Sequence, residues 1–235
     1  MRSLAFARPF AIIVVLLVAA DVVLMALFGA HKLGWATTPS LDLGADGGPA
    51  EILQYAKLFC AAVAAGLLAR WTRQPVYAVL ALLFGGLLLD DALMLHEHWG
   101  ARLAAAGALP SVAGLRPSDL GEVAFLAAWV GPLALAGVLT YRRSSGPARR
   151  AARVALGALV VLAGFGVGVD VLHEAVLAVV QIDGLHSAFV LLEEGGEMVA
   201  LSVLAAGAVA LAVATEGGAA MQAVLQRSDA SAELA

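Results

Sequence analysis

The stretch 152–181, ARVALGALVVLAGFGVGVDVLHEAVLAVVQ, decides the fold. Its first half carries a single charge, Arg153, in a run long enough to cross the hydrocarbon core of a bilayer, for which about 20 residues suffice. Its second half places Asp170, His173 and Glu174 on the same helix, and spacings of three and four bring all three to one face. An ionisable group in hydrocarbon costs about 3 kcal/mol unless it is paired, protonated or bound to a cation. The same stretch therefore reads both as a membrane span and as a site.

Neighbouring sequence repeats this arrangement. The next apolar run, 187–214, carries Glu193, Glu194 and Glu197 within an arc of roughly 100° on a helix. Upstream runs at about 9–31, 52–70, 76–100 and 120–141 complete six spans. Arg2 and Arg8 ahead of the first run resemble the start of a secretory signal, but the run continues past Asp21 to Phe28 and reads as a span. The expected fold class is all-α: a bundle of six transmembrane helices in three hairpins over 1–215. Residues 216–235 read as a polar, flexible tail.

Composition agrees with this reading. Hydrophobic residues make up 62% of the 235 and charged residues 14%, where a soluble domain carries about a quarter charged. Mean hydropathy is +0.92. A net charge of -4 with scattered basic residues excludes a nucleic-acid surface. The lone Cys60 lies in an apolar run, where a packing role is expected.

Basic residues set the expected orientation. Arg2, Arg8, Arg70, Arg73, Arg142, Arg143, Arg149, Arg150 and Arg153 fall at one set of helix ends, and only Lys32, Arg102 and Arg116 at the other. By the positive-inside rule both termini are cytoplasmic, in a bacterial-type inner membrane, and the acidic residues gather toward the outer side.

Candidate site residues follow from helix geometry. A continuous third helix aligns Asp91 with His98 two turns away, while His96 points elsewhere, so His98 is the preferred ligand and His96 the reserve. The full expected metal set is Asp91, His98, Asp170, His173, Glu174, Glu194 and Glu197, with Glu193 handling protons beside it. The polar residues of the three hairpins, Asp21 and His31, then Asp90 to His98, then Asp170 to Glu174, form a degenerate repeat with unequal spacings.

Other polar residues have plainer readings. Asp119 and Glu122 fit a capping box opening the fourth span, and Glu51 after Pro49 fits a helix-dipole role. His31 and His186 fall near the outer interface, as solvated or hydrogen-bonded histidines do. Trp35, Trp99 and Tyr141 suit interfacial belts. Gly164, Gly166 and Gly168 are expected to allow close helix packing.

The carboxylates of the last two spans resist a plain reading. No Lys or Arg is near them in sequence, and the only basic residue well inside a span is Lys57. Either they are protonated or a multivalent cation holds them. Oxygen-rich ligation with one or two imidazoles favours iron or manganese, one ion or two, with zinc as runner-up. The Glu-x-x-His pair of soluble di-iron bundles is absent; Asp170-x-x-His173 only imitates its spacing. The expected function is a membrane metalloprotein, more an enzyme acting on a hydrophobic or lipid-like substrate than a transporter. A divalent-cation or proton-coupled transporter, or a metal-stabilised structural or sensor subunit, is the alternative. Transport needs polar steps through the full thickness, and 152–167 and 204–213 offer almost none beyond Arg153.

Overall fold

The computed structural model describes residues 2–110, 116–177, 179–180, 182 and 184–232, with side chains over 5–216 of these. Among them every regular element is helical: α1 (Arg2–Lys32), a short 3₁₀ turn (Pro39–Leu41), α2 (Pro49–Thr72), α3 (Pro75–Ala92), α4 (Leu95–Ala105), α5 (Pro117–Arg143), α6 (Gly146–Ala163), a π-helical stretch (Gly164–Val169), α7 (Asp170–Leu177) and α8 (Leu185–Ala232). Proline opens α2, α3, α5 and α6, where its missing N–H costs nothing because first-turn amides have no helical partner. Six helical segments are long and apolar enough to cross a membrane, with α6, the π stretch and α7 forming one of them.

Two boundaries differ from those expected. The third apolar helix stops at Ala92 rather than near residue 100, because Met94 takes a left-handed conformation (φ 49°) and a new helix, α4, begins at Leu95. At the other end, α8 continues in helical geometry to Ala232, beyond the boundary near 215 set for a flexible tail.

The sequence hairpins do not pack simply as hairpins. α8 is the central helix: half of its most apolar stretch is buried, against none of that of α5. α1 packs mainly on α8 rather than on α2, and α2 touches both α3 and α8. Small residues of α2 and α8, Ala61, Ala65 and Ala208 among them, pack together and let these helices approach closely. The outer helix faces stay apolar, with Leu16 65%, Leu82 63% and Val154 68% exposed, a surface that suits lipid rather than water. Gln74 between α2 and α3 accepts a hydrogen bond at 2.8 Å from the backbone N–H of Ser145 between α5 and α6, so the arginine-rich turns lie at one end of the bundle.

Candidate metal centre

The break after α3 builds the first polar group. Asp90 is buried and its Oδ1 accepts the backbone N–H of His96 at 2.9 Å, tying the start of α4 back to α3. The turn leaves His96 Nδ1 3.3 Å from the same oxygen, and this buried nitrogen has no hydrogen-bond partner. Asp90, Asp91 and His96 each bring one ligand-type atom within 4.8 Å of the others. Donors about 2.1 Å from one tetrahedral ion stand about 3.4 Å apart, so the separation and the orphaned nitrogen both fit a cation.

A second group forms across α7 and α8. His173 Nδ1 lies 3.6 Å from Glu193 Oε2, and Asp170 completes a set of the same compactness. The other nitrogen of His173, Nε2, meets His186 Nδ1 at 2.9 Å, and Phe189 stacks on the ring at 5.0 Å. An outer partner on the second nitrogen fixes an imidazole's orientation, as ligating histidines require.

Glu194 and Glu197 lie between these groups. Gln54 of α2 donates to Glu194 at 3.3 Å, and Glu194 is in electrostatic reach of Glu51 and Asp91. Glu197 is in reach of Asp91 on one side and of Glu193 and Asp170 on the other. Its carboxylate rests against Gly166, where any Cβ would collide with it. The π-helical stretch around Gly166 adds a residue to the turn, a distortion often found at functional sites, and so sets the entry of α7 with Asp170 and His173.

A sealed ion pair lies on the side of the cluster toward the arginine-rich turns. Lys57 Nζ of α2 donates to Asp21 Oδ1 of α1 at 2.5 Å and to the Met198 carbonyl of α8 at 3.0 Å. Ser202 of α8 donates to the other Asp21 oxygen at 2.6 Å. Lys57 is thus committed to Asp21, with exposures of 1% and 0%, and is not a counter-ion for the glutamates.

The end of the bundle near Arg116 is better solvated. Arg116 pairs with Asp119 at 3.0 Å and lies in electrostatic reach of Glu174, Glu122 and Asp170. The start of α5 therefore differs from expectation: Pro117 begins the helix, and Asp119 accepts the Arg116 backbone N–H from the third helical position instead of capping ahead of Glu122. Glu51 accepts from the backbone of Gly47 and from Tyr55, consistent with its helix-start reading. Between α1 and α2 Lys32 pairs with Asp42 at 2.5 Å. Partial burial pushes the Asp42 carboxyl up, but the Lys32 ammonium outweighs it and holds the group below the usual carboxylate range.

Of the expected ligands, Asp91, Asp170 and His173 fall within the two compact groups, joined by Asp90, His96 and Glu193. His98 does not: the break at Met94 destroys its alignment with Asp91, and its Nδ1 turns to the Met94 carbonyl at 2.6 Å. Glu174 is exposed and reaches Asp170 only electrostatically. Glu194 and Glu197 stand beside the groups, while Glu193, expected to act outside the ligand set, stands within one. The sequence reading missed the Asp21–Lys57–Ser202 network and the His173–His186 contact. Two opposite charges at mid-span, Asp21 and Lys57, were the available signal for the first.

An apolar groove runs along α6 and α8, and near Arg150 it is lined also by Phe6 of α1, Leu68 of α2 and Tyr77, Leu80 and Phe84 of α3. Its part farther from Arg150, about 520 Å³, is bounded by Val161, Phe165, Gly195 and Gly196, the two glycines lying between Glu194 and Glu197 in sequence. Its other part, about 400 Å³, shares Val154, Ala158 and Val203 with the first and ends at Arg150. The Phe165 ring lies over Gly196, and both line the groove.

Residues 10–212 match a family described as a domain of unknown function, DUF8692. No curated protein and no solved structure matches the chain.

Proposed function

The chain belongs to the DUF8692 family, and on that premise we propose that it is a bilayer-embedded metalloprotein acting as an enzyme on a hydrophobic substrate. The observation that carries the reading is the pair of compact acidic and imidazole groups, with an apolar groove running beside them whose lining includes Gly195 and Gly196, the sequence neighbours of Glu194 and Glu197. A substrate dissolved in lipid would reach the cluster laterally by displacing the Phe165 ring that lies over Gly196.

In this reading Asp90, Asp91 and His96 hold one divalent cation and Asp170, His173 and Glu193 another, with Glu197 placed to share charge between them. Glu194, hydrogen-bonded to Gln54, serves as the proton-handling carboxylate. Oxygen-rich donors with one imidazole per group favour iron or manganese over zinc, and such ions supply activation of water or dioxygen when bound. The six apolar helices lie in a plasma membrane with the cluster toward the outer side and both termini inside.

Elemental analysis of protein purified without added metal tests the reading. Between one and two equivalents of iron, manganese or zinc are expected, falling at least severalfold in the Asp170→Asn variant. Metal-free protein whose stability is indifferent to chelator sinks it.

A second reading, transport, is favoured by one observation: the Asp21–Lys57 pair meets the Met198 carbonyl next to Glu197, so buried polar groups continue inward from the cluster. Metal-dependent flux across proteoliposomes that disappears in Glu197→Gln would promote it over the enzyme.

A further inference from the structure

We propose that the α6/α8 groove binds an anionic phospholipid, its phosphate at Arg150 and one acyl chain running toward Phe165 and the carboxylate cluster. This rests on the membrane placement and hydrophobic-substrate reading above, and it names the class of amphiphile involved.

Length is the first argument. Arg150 and Phe165 are 15 residues apart on one nearly continuous helix, about 22 Å at 1.5 Å per residue. The hydrocarbon core is about 30 Å thick, so a ligand anchored at the inner surface must pass the midplane to reach Gly196. An extended acyl chain does this; a compact apolar molecule does not. The two parts of the groove, about 400 and 520 Å³, each fall in the size range of small-molecule sites.

Charge is the second. Arg150 is the one charged side chain in a lining otherwise made of groups such as Ala155, Ala158, Val203 and Leu204. Among the described residues no acidic side chain pairs with it. A guanidinium fits phosphate oxygens in a bidentate manner, and basic residues at this end of the bundle attract anionic headgroups. A neutral lipid would fill the groove but leave the guanidinium without its complement.

Shape is the third. Gly157 borders the groove, and a Cβ at this position would meet nothing within 4 Å. Position 157 therefore offers a plug that disturbs no packing, and Phe165 closes the far end beside Gly196.

The test is native mass spectrometry of the full chain, delipidated in detergent and offered equimolar phosphatidylglycerol and phosphatidylcholine. Wild type should retain one phosphatidylglycerol with about fivefold preference, the ratio one basic side chain confers at a membrane surface. Arg150→Gln should lose the preference, Arg150→Lys should keep most of it, and Arg149→Gln should leave it intact. Gly157→Leu should abolish retention of both lipids. Preference surviving in Arg150→Gln, equal loss in Arg149→Gln, or retention unchanged in Gly157→Leu each overturns the proposal. Should Gly157→Leu fail to fold, Val161→Trp fills the same groove from its exposed wall and is read identically. Metal content is measured on the same samples. Wild type that shows no lipid selectivity but retains metal defeats this inference alone, and wild type without metal that still retains phosphatidylglycerol selectively defeats the metalloprotein reading alone.

Discussion

Glu197 of α8 rests its carboxylate against Gly166 of the π-helical stretch, in the space a Cβ at position 166 would need. The distortion and the glycine thus act together: one shifts the register ahead of Asp170 and His173, the other admits the glutamate beside them. Gly164 and Gly168, in the same stretch, face open space.

Gly166→Ala should therefore weaken metal binding by about 10- to 100-fold, the scale on which supporting groups act at metal sites. Gly164→Ala and Gly168→Ala should leave it unchanged. Competition with a chelator of known affinity reads all three, and equal behaviour of the three would show that the Glu197 contact has no bearing on the ion.

Removing one partner from a sealed ion pair strands the other. Lys57→Met leaves Asp21 buried at 0% exposure with only Ser202 donating, and should destabilise the protein by about 3–5 kcal/mol. Lys57→Met combined with Asp21→Leu should recover much of that loss, because no unpaired charge remains. Unfolding in mild detergent with increasing denaturant measures both. A double variant no better than the single would mean that packing, not charge, sets the cost.

The two histidines of α4 separate the observed geometry from a continuous-helix one. His96→Ala should lower metal content, since its buried Nδ1 lies 3.3 Å from Asp90 and has no hydrogen-bond partner. His98→Ala should not, since its ring is held by the Met94 carbonyl on an exposed face. The reverse pattern would mean that α3 continues through Met94 in the working protein.

Why the sequence supported one histidine and the fold presents the other is instructive. Apolar run length is a strong signal, and the six long apolar helices were legible to within a few residues at most of their ends. A left-handed Met94 is not legible, because no glycine marks it, and one such residue rotates everything after it. Asp170 and His173 were legible because they share a single turn of one helix. Their association with Glu193, like that of Lys57 with Asp21, depends on which helices become neighbours, and α8 taking the centre is a tertiary outcome that no local pattern encodes. The π stretch was also hidden: its glycines read as packing residues, and only Gly166 meets a partner that gives it a specific role.

The Lys32–Asp42 pair between α1 and α2 predicts a small pH effect with a definite sign. The Asp42 carboxyl titrates below its ordinary value near 3.8 in the folded chain. The stabilisation is therefore complete above that value and is lost as pH falls through the lower folded value. Because both groups are partly solvated, Asp42→Asn should cost no more than about 1 kcal/mol at neutral pH. Carboxyl NMR of the Asp42 side chain checks the direction, and a value above 3.8 would refute the pairing.

Sidedness ties the chemistry to a compartment. The Gln74–Ser145 contact holds the turns bearing Arg73, Arg142 and Arg143 together at one end, and the carboxylates lie toward the other. In the proposed orientation these basic turns are cytoplasmic, since moving them across the membrane is opposed during insertion. A reporter fused after Arg143 should be active only in the cytoplasm, and one inserted near Gly47 only outside. An Arg142→Glu, Arg143→Glu pair should weaken the bias without inverting it, because Arg70, Arg73, Arg149, Arg150 and Arg153 remain at the same end. Reporter activity at Gly47 inside the cell would put the cluster on the cytoplasmic side and Arg150 on the outer one. The phospholipid would then have to come from the opposite leaflet, and any water or dioxygen reaching the cluster would come from the cytoplasm.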